Sequence, residues 1–188
     1  MVARAEAVAA TRERILEAAW RRFSEDPYEQ VRLTDVASDA DVSEQTVYSR
    51  FGSKDRLFVA AWAWAIGPEG ERRDRARAGD VRKAVRLLYE SYEAQGDASL
   101  RLLAEEDRIP AIRQMTDAGR AWHRDWVERT FAPLLGGSRG AARERRLVAL
   151  VVATDILVWK LLRREMGLDR ETAERIVIEM ITSMEGAR

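Results

Sequence analysis

Between Arg32 and Lys54 the chain carries a run of side chains able to hold a phosphate or read a base edge: Arg32, Thr34, Ser43, Gln45, Thr46, Tyr48, Ser49, Arg50 and Lys54. Cationic groups neutralise phosphate charge, while hydroxyls and the NH groups at a helix N-terminus donate to phosphate oxygens. The Gln45 amide presents a donor beside an acceptor, which suits bidentate pairing with adenine, and the Thr46 methyl suits that of thymine. Arg50 has the reach for guanine or for phosphate.

Those groups are useful only if short helices hold them. Leu33, Val36, Ala37 and Ala40 recur at i, i+3, i+4 and i+7, the stripe of one amphipathic helix. Asp41-Val42-Ser43 then reads as a tight turn: Asp tolerates a left-handed backbone, Val42 plugs the core and Ser43 caps a helix starting at Glu44. In that helix Val47 and Phe51 share the packed face, which leaves Gln45 and Ser49 pointing away from it. Gly52-Ser53 ends it and caps another. Two helices around such a turn suit the major groove, yet they also occur in bundles with no nucleic-acid role.

Charge argues against a simple basic clamp. Glu25, Asp26, Glu29, Asp35, Asp39, Asp41 and Glu44 crowd the segment, so the placement of Arg32, Arg50, Lys54 and Arg56 must matter more than their sum. A modest dependence of DNA affinity on salt is expected.

The residues Ile15-Leu16-Glu17-Ala18-Ala19, Phe23, Tyr28, Leu33-Thr34-Asp35-Val36-Ala37, Val42-Ser43, Thr46-Val47-Tyr48 and Phe51-Gly52-Ser53-Lys54 resemble, in order and spacing, the TetR family of bacterial transcriptional regulators. The likeness is close over the first third of the chain and elsewhere extends only to an all-helical layout. Three positions depart from the family's pattern. Pro27 replaces a usual Gly and cannot serve as a left-handed cap, Asp41 replaces the Gly of the corner, and Arg32 replaces a small hydroxyl cap with a phosphate ligand.

Composition excludes several other classes. With 188 residues, 46% hydrophobic, the chain can bury a sizeable core, and 32 basic against 32 acidic residues leave no net field toward DNA or membranes. There is no Cys, hence no disulfide, thiolate metal site or Cys nucleophile. No phosphate-cradling Gly-rich loop or nucleophilic Ser motif is present, so the chain does not read as an enzyme, and no cofactor is implied. His123, the one histidine, reads as no metal ligand, with Asp125 and Glu128 as surface groups. Met1 to Ala10 lacks an apolar targeting core, and Leu147 to Trp159 is too short to span a bilayer. A soluble, cytoplasmic protein without membrane contact is expected.

The fold class is all-α. The division expected is a flexible arm over 1–10, a three-helix helix-turn-helix DNA-binding domain over 11–56, and a helical effector-binding and dimerisation domain over 57–188. The pattern places a first helix from Thr11 to Glu25 and a fourth from Lys54 to Ile66 broken by Gly67-Pro68, then a solvated, charge-rich connector from Glu69 to Asp80. A fifth helix carries Val81, Val85, Leu88 and Tyr92 and ends at Gly96. Leu100, Leu102 and Leu103 form a short sixth before Pro110, and Ile112 to Trp126 mark a long seventh. Gly136-Gly137-Ser138 reads as a loop. A helix from Ala141 to Met166 is apolar on more than one stripe, and Gly167-Leu168-Asp169 stops it and caps the last.

The resemblance implies more. The last two helices would pair with those of a second subunit, giving a two-fold homodimer through Val151, Val158, Leu162, Ile176, Val177, Met180 and Met184. A small-molecule effector would lodge among the middle helices, where the chain supplies Trp62, Tyr89, Tyr92, Trp122, Trp126 and Trp159, an apolar or aromatic wall; aromatics at helical spacing also serve as plain core. Asp155, inside an apolar run, reads as a partner at the dimer face or as a group that orients a polar ligand. The function implied is a ligand-responsive repressor that binds a pseudo-palindromic, double-stranded DNA operator as a homodimer and is released by the effector. The alternative is a helical DNA-binding or interaction protein with no effector.

Overall fold

A computed structural model describes residues 2–137 and 139–186, with side chains for 5–137 and 139–184, so Met1 of the expected arm and Ser138 of the expected loop lie outside the described residues. The described residues form ten α-helices, a 3-10 turn over Tyr28–Gln30 and a π-helical turn over Leu161–Glu165, with no strand. The helices are α1 (Val2–Glu25), α2 (Leu33–Asp39), α3 (Glu44–Phe51), α4 (Lys54–Arg73), α5 (Val81–Glu105), α6 (Pro110–Thr130), α7 (Ala132–Leu135), α8 (Gly140–Ala153), α9 (Ile156–Lys160) and α10 (Arg170–Gly186). They pack as two units that are not contiguous in sequence. One holds the chain up to Pro68 with Ala98–Asp117, and the other holds Glu69–Asp97 with the chain from Ala118 onward. None of these helices is long and apolar enough to cross a membrane.

In the first unit, Ile15, Leu16, Ala19 and Phe23 of α1 bury against Val36 and Ala37 of α2, Val47 of α3, and Leu57 and Phe58 of α4. Leu102, Ile112 and Met115 join the same core from the far segment. Phe23, Tyr28 and Phe58 form an aromatic triad: Phe23 stacks on Tyr28 at 5.4 Å, and Phe58 meets both rings edge-on at 5.0 and 5.3 Å. Pro27, which cannot cap in the left-handed region, instead opens the 3-10 turn with φ −55°. That turn delivers Tyr28 to the triad.

The second unit is built around Val85, Leu88, Tyr89 and Tyr92 of α5, Trp126 and Val127 of α6, Leu147 and Leu150 of α8, Trp159, and Ala173, Val177 and Ile181 of α10, all buried.

Five expectations need correction. α1 begins at Val2 rather than Thr11, so residues 2–10 continue the helix. α4 runs through Gly67-Pro68 to Arg73 although Pro68 forfeits one intrahelical bond. The reason lies beyond the proline, where Glu69 and Arg73 are 4% and 5% exposed and anchored in the second unit. The connector is therefore not solvated at its start, and at its end Gly79, with φ +87°, donates to the Thr130 carbonyl at 2.8 Å. Likewise α5 passes through Gly96 and absorbs the expected short sixth helix. A Cβ at Gly96 would lie 2.5 Å from the Trp159 ring, so close packing accounts for the glycine and it terminates nothing.

The fifth correction concerns the apolar helix expected from Ala141 to Met166, which breaks at Thr154-Asp155 without Gly or Pro. The Tyr92 hydroxyl donates to the Thr154 carbonyl at 2.9 Å, and Asp155 caps α9 by accepting from the Leu157 NH at 2.8 Å. Within the single chain Asp155 thus serves as the cap of α9. Gly167, with φ +67°, and Asp169, which accepts from the Thr172 NH at 2.8 Å, stop and restart the chain as expected.

The Gly96 contact is directly testable. Gly96→Val should lower the unfolding free energy by at least about 2 kcal/mol in chemical denaturation, because overpacking against a fully buried Trp159 outweighs the small gain in helix propensity.

Candidate nucleic-acid interface and buried polar cluster

The corner between α2 and α3 is made by Asp41 at φ +52°, a non-glycine residue in the left-handed region. Ser43 then caps α3: its Oγ accepts from the Thr46 NH at 3.2 Å and lies 2.8 Å from Thr46 Oγ1. Arg32 stands at the cap of α2, where a guanidinium has no acceptor to offer the helix NH groups, and it is exposed. At the other end of α3, Gly52 adopts φ +76° and its NH bonds the Tyr48 carbonyl at 2.7 Å. Val47 is buried and Phe51 half-buried, which fixes the rotation of the helix.

The opposite face is open. Thr34, Ser43, Gln45, Tyr48, Ser49 and Arg50 are exposed, and Thr46 and Lys54 are half-buried. Local bonds divide them into two kinds. Ser43 and Thr46 share their hydroxyls, and Ser49 donates to the Thr46 carbonyl at 3.0 Å, so these hydroxyls shape α3 before they meet any partner. Arg50 rests on the Val8 carbonyl at 3.4 Å. Lys54 donates to the Glu29 carbonyl at 3.2 Å with its ammonium 4.6 Å over the Tyr28 ring, and burial pulls its pKa down. Gln45, Tyr48 and Thr34 have no side-chain hydrogen bond among the described residues.

Two acidic groups in this unit have partners that the sequence pattern did not assign to them. The Asp39 carboxylate accepts from Arg22 at 2.7 and 3.0 Å and from Arg21 at 2.9 Å, bonds that hold its pKa down to about 2. Asp55 accepts from the Tyr28 hydroxyl, and burial together with that bond pushes the phenol up. Neither pair has a sequence signal, because its members lie 17 to 27 residues apart with no shared period.

The six aromatic residues expected around a ligand separate. Trp62 packs on the core of the first unit. The others belong to the second: Tyr89 and Tyr92 lie 6.5 Å apart, Tyr92 and Trp159 lie 5.9 Å apart, and Trp122 and Trp126 flank the Arg73 guanidinium at 4.8 and 5.6 Å. Arg73 also sits 5.3 Å over the Tyr92 ring and donates to Ser91 Oγ at 3.0 Å.

His123 belongs to this cluster, where its Nδ1 is 3.5 Å from an Arg73 NH group. A guanidinium can only donate, so Nδ1 is the acceptor and Nε2 carries the proton toward Thr154 Oγ1, 3.0 Å away. Burial, with the Arg73 charge, pulls the His123 pKa down to about 3, so the imidazole is neutral. Among the described residues no group of His, Asp and Glu is arranged to hold a metal ion. Sequence reading passed over Glu69, Arg73, Ser91 and Thr154 because each looks ordinary until the helices converge.

Comparison with known proteins gives the same picture from another side. Residues 15–61 match the model of bacterial regulatory proteins of the tetR family. The fold is similar to that of Salmonella enterica GusR, with 20% identity, 93% of this chain and 94% of that one covered, and a TM-score of 0.72. It is also similar to a transcriptional regulator from Rhodococcus sp. RHA1, with 19% identity, 92% and 95% covered, and a TM-score of 0.70. A protein from Pseudomonas aeruginosa PAO1 reaches 0.74 at 16% identity over 94% and 90% of the chains. No curated protein matches in sequence.

The clasp on Asp39 predicts a pH dependence. A carboxylate whose pKa falls from 3.8 to about 2 on folding adds stability that is fully present above the higher value and is lost as pH falls through the lower one. The melting temperature of Asp39→Asn should therefore lie below that of the natural chain by a constant margin at neutral pH, and the margin should close as pH falls from 3.8 toward 2.

Proposed function

We propose that this chain, which carries the DNA-binding domain of the tetR family of bacterial regulatory proteins, is a ligand-responsive repressor that reads a pseudo-palindromic operator as a homodimer. The observation that carries the reading is the open face of α3. It leaves Gln45 and Tyr48 without protein hydrogen bonds and therefore available to a base edge and a phosphate. Gln45 pairs with adenine, Thr46 touches a thymine methyl, and Arg32, Thr34, Ser43, Tyr48, Ser49, Arg50 and Lys54 hold the backbone on either side.

One eight-residue helix meets only a few base pairs, so useful affinity needs a second copy. Support for a homodimer comes from an apolar strip along α8, α9 and the π-helical turn, where Val148, Val152, Leu157, Leu161 and Met166 are exposed. The half-buried Val151 and Val158 lie on the same elements, and Ile176, Met180 and Met184 are half-buried on α10. Leu162 and Val177, 7% and 0% exposed, are already taken up by the packing of the single chain and are not part of this surface.

The effector, an apolar or aromatic molecule, belongs with Tyr89, Tyr92, Trp122, Trp126 and Trp159; Trp62 is excluded because it packs in the first unit. α4 is one continuous helix with Lys54 at its start and Arg73 at its end, so a ligand that changes the pose of Arg73 acts on the helix that carries a phosphate ligand. By linkage, a ligand that favours one pose shifts DNA affinity by the same coupling free energy, commonly about 1 to 3 kcal/mol.

Selection of bound duplexes from random DNA should return a palindrome, and Gln45→Ala should lose preference at one symmetric pair of positions while the rest of the consensus survives. Absence of any enriched sequence would overturn the reading. The dimer is tested separately: Leu157→Asp should sediment as a folded monomer and bind the selected duplex at least about tenfold more weakly, since a charge in a dry apolar contact is costly.

A further inference from the structure

Among the described residues of the second unit, the ion pair between Glu69 and Arg73 is deeply buried and yet incomplete. Arg73 Nε lies 3.6 Å from Glu69 Oε1, beyond hydrogen-bond distance, and neither atom has a hydrogen-bond partner; Trp126, whose ring centroid is 5.6 Å from the Arg73 guanidinium, has an unpartnered Nε1 too. Other pairs in this unit close properly. Arg163 meets Glu93 at 2.5 Å, Arg170 meets Glu174 at 2.6 Å, and Arg164 grips both Asp97 oxygens at 3.0 Å. Desolvating two charges is repaid only by good geometry and full hydrogen bonding, so a pair that is 4% and 6% exposed and still incomplete needs a third participant.

The surroundings specify what that participant offers. Glu69 Oε1 is an acceptor, Arg73 Nε and Trp126 Nε1 are donors, and the Tyr89 hydroxyl, also unpartnered, can do either. A single hydroxyl oxygen can lie about 2.8 Å from both Glu69 Oε1 and Arg73 Nε, donating to the first and accepting from the second. Within the buried part of the cluster the charges of Glu69 and Arg73 cancel; Arg72, 3.8 Å from Glu69 Oε2, is 42% exposed and stays solvated, and His123, accepting at Nδ1 and donating at Nε2, adds no charge. An incoming anion would face Glu69 and an incoming cation Arg73, each leaving an uncompensated buried charge. Trp122, Trp126 and Tyr92 supply flat apolar walls.

We infer that the Glu69–Arg73–Trp126 cluster binds an uncharged aromatic compound through a phenol-type hydroxyl, which acts as donor to Glu69 and acceptor from Arg73. This rests on the effector reading above and narrows the ligand class from apolar or aromatic to neutral and hydroxylated. Arg73 and Glu69, not the tryptophans, then set selectivity.

The test measures binding without DNA, so its outcome is independent of whether a ligand releases the operator. The chain is labelled with 5-fluorotryptophan, the Trp122 and Trp126 resonances are assigned with Trp122→Phe and Trp126→Phe, and the full protein is titrated with phenol, benzene, benzoate and benzylammonium. Phenol should bind at least about tenfold more tightly than the other three, with shifts at both resonances, because a site left with unpaired buried groups rejects the analogue that lacks the hydroxyl. In Glu69→Gln, where Arg73 loses its counter-charge, the order should invert in favour of benzoate; a variant that only loosened the core would weaken all four alike. Benzene or benzoate binding the natural chain as tightly as phenol would overturn the inference, since a bridging water or an anion would then satisfy the cluster, and so would no binding of phenol. Operator release by benzene together with equal benzene and phenol affinity would leave the effector reading standing and this inference false.

Discussion

An eight-residue helix has no stability of its own in water, so the rotation of α3 depends on the core that holds it. That core is the meeting of Val47 with α1 and α2, braced by the triad of Phe23, Tyr28 and Phe58. The triad also serves the interface. Tyr28 lies under the Lys54 ammonium and donates to Asp55, so the aromatic contacts that close the hydrophobic core also fix the first turn of α4. Everything that α3 presents outward follows from this inward packing.

Electrostatics shape the same surface by subtraction. The chain has 32 basic and 32 acidic residues, and no global field draws it to a polyanion. Asp39 is neutralised by two arginines and Asp55 shares its charge with a phenol, which weakens the repulsion a phosphate would meet. Arg50 and Lys54 already rest on backbone carbonyls, so their geometry is set in advance. On the proposed reading, such a surface would meet DNA with few charges and several oriented dipoles.

What could be read from the sequence divides along physical lines. The helix-turn-helix was legible because its determinants are local: the stripe through Val36 and Ala40, the left-handed Asp41, the Ser43 cap and the Gly52 stop each act within a few residues. Pro68 and Gly96 misled, and the break at Thr154 was missed, because their roles are set by partners far along the chain. A proline that should break α4 is overruled by the anchoring of Glu69 and Arg73, a glycine that should end α5 exists to admit Trp159, and a break with no Gly or Pro comes from the Tyr92 hydroxyl capturing a carbonyl. The charge-rich stretch after Pro68 reads as solvated because nothing local shows that Arg73 is surrounded by three aromatic rings. The aromatic residues were visible as a group, but not the charged pair among them.

Base readout is proposed for Gln45, on the open face of α3. It is tested most directly by pairing the protein with operator duplexes in which 7-deazaadenine replaces one adenine in each half-site, which removes the N7 acceptor and leaves the duplex otherwise intact. Binding by the natural chain should weaken by about 1 kcal/mol or more for each contact, and binding by Gln45→Ala should be unchanged. An equal loss in both proteins, or no loss in the natural chain at any adenine, would contradict it.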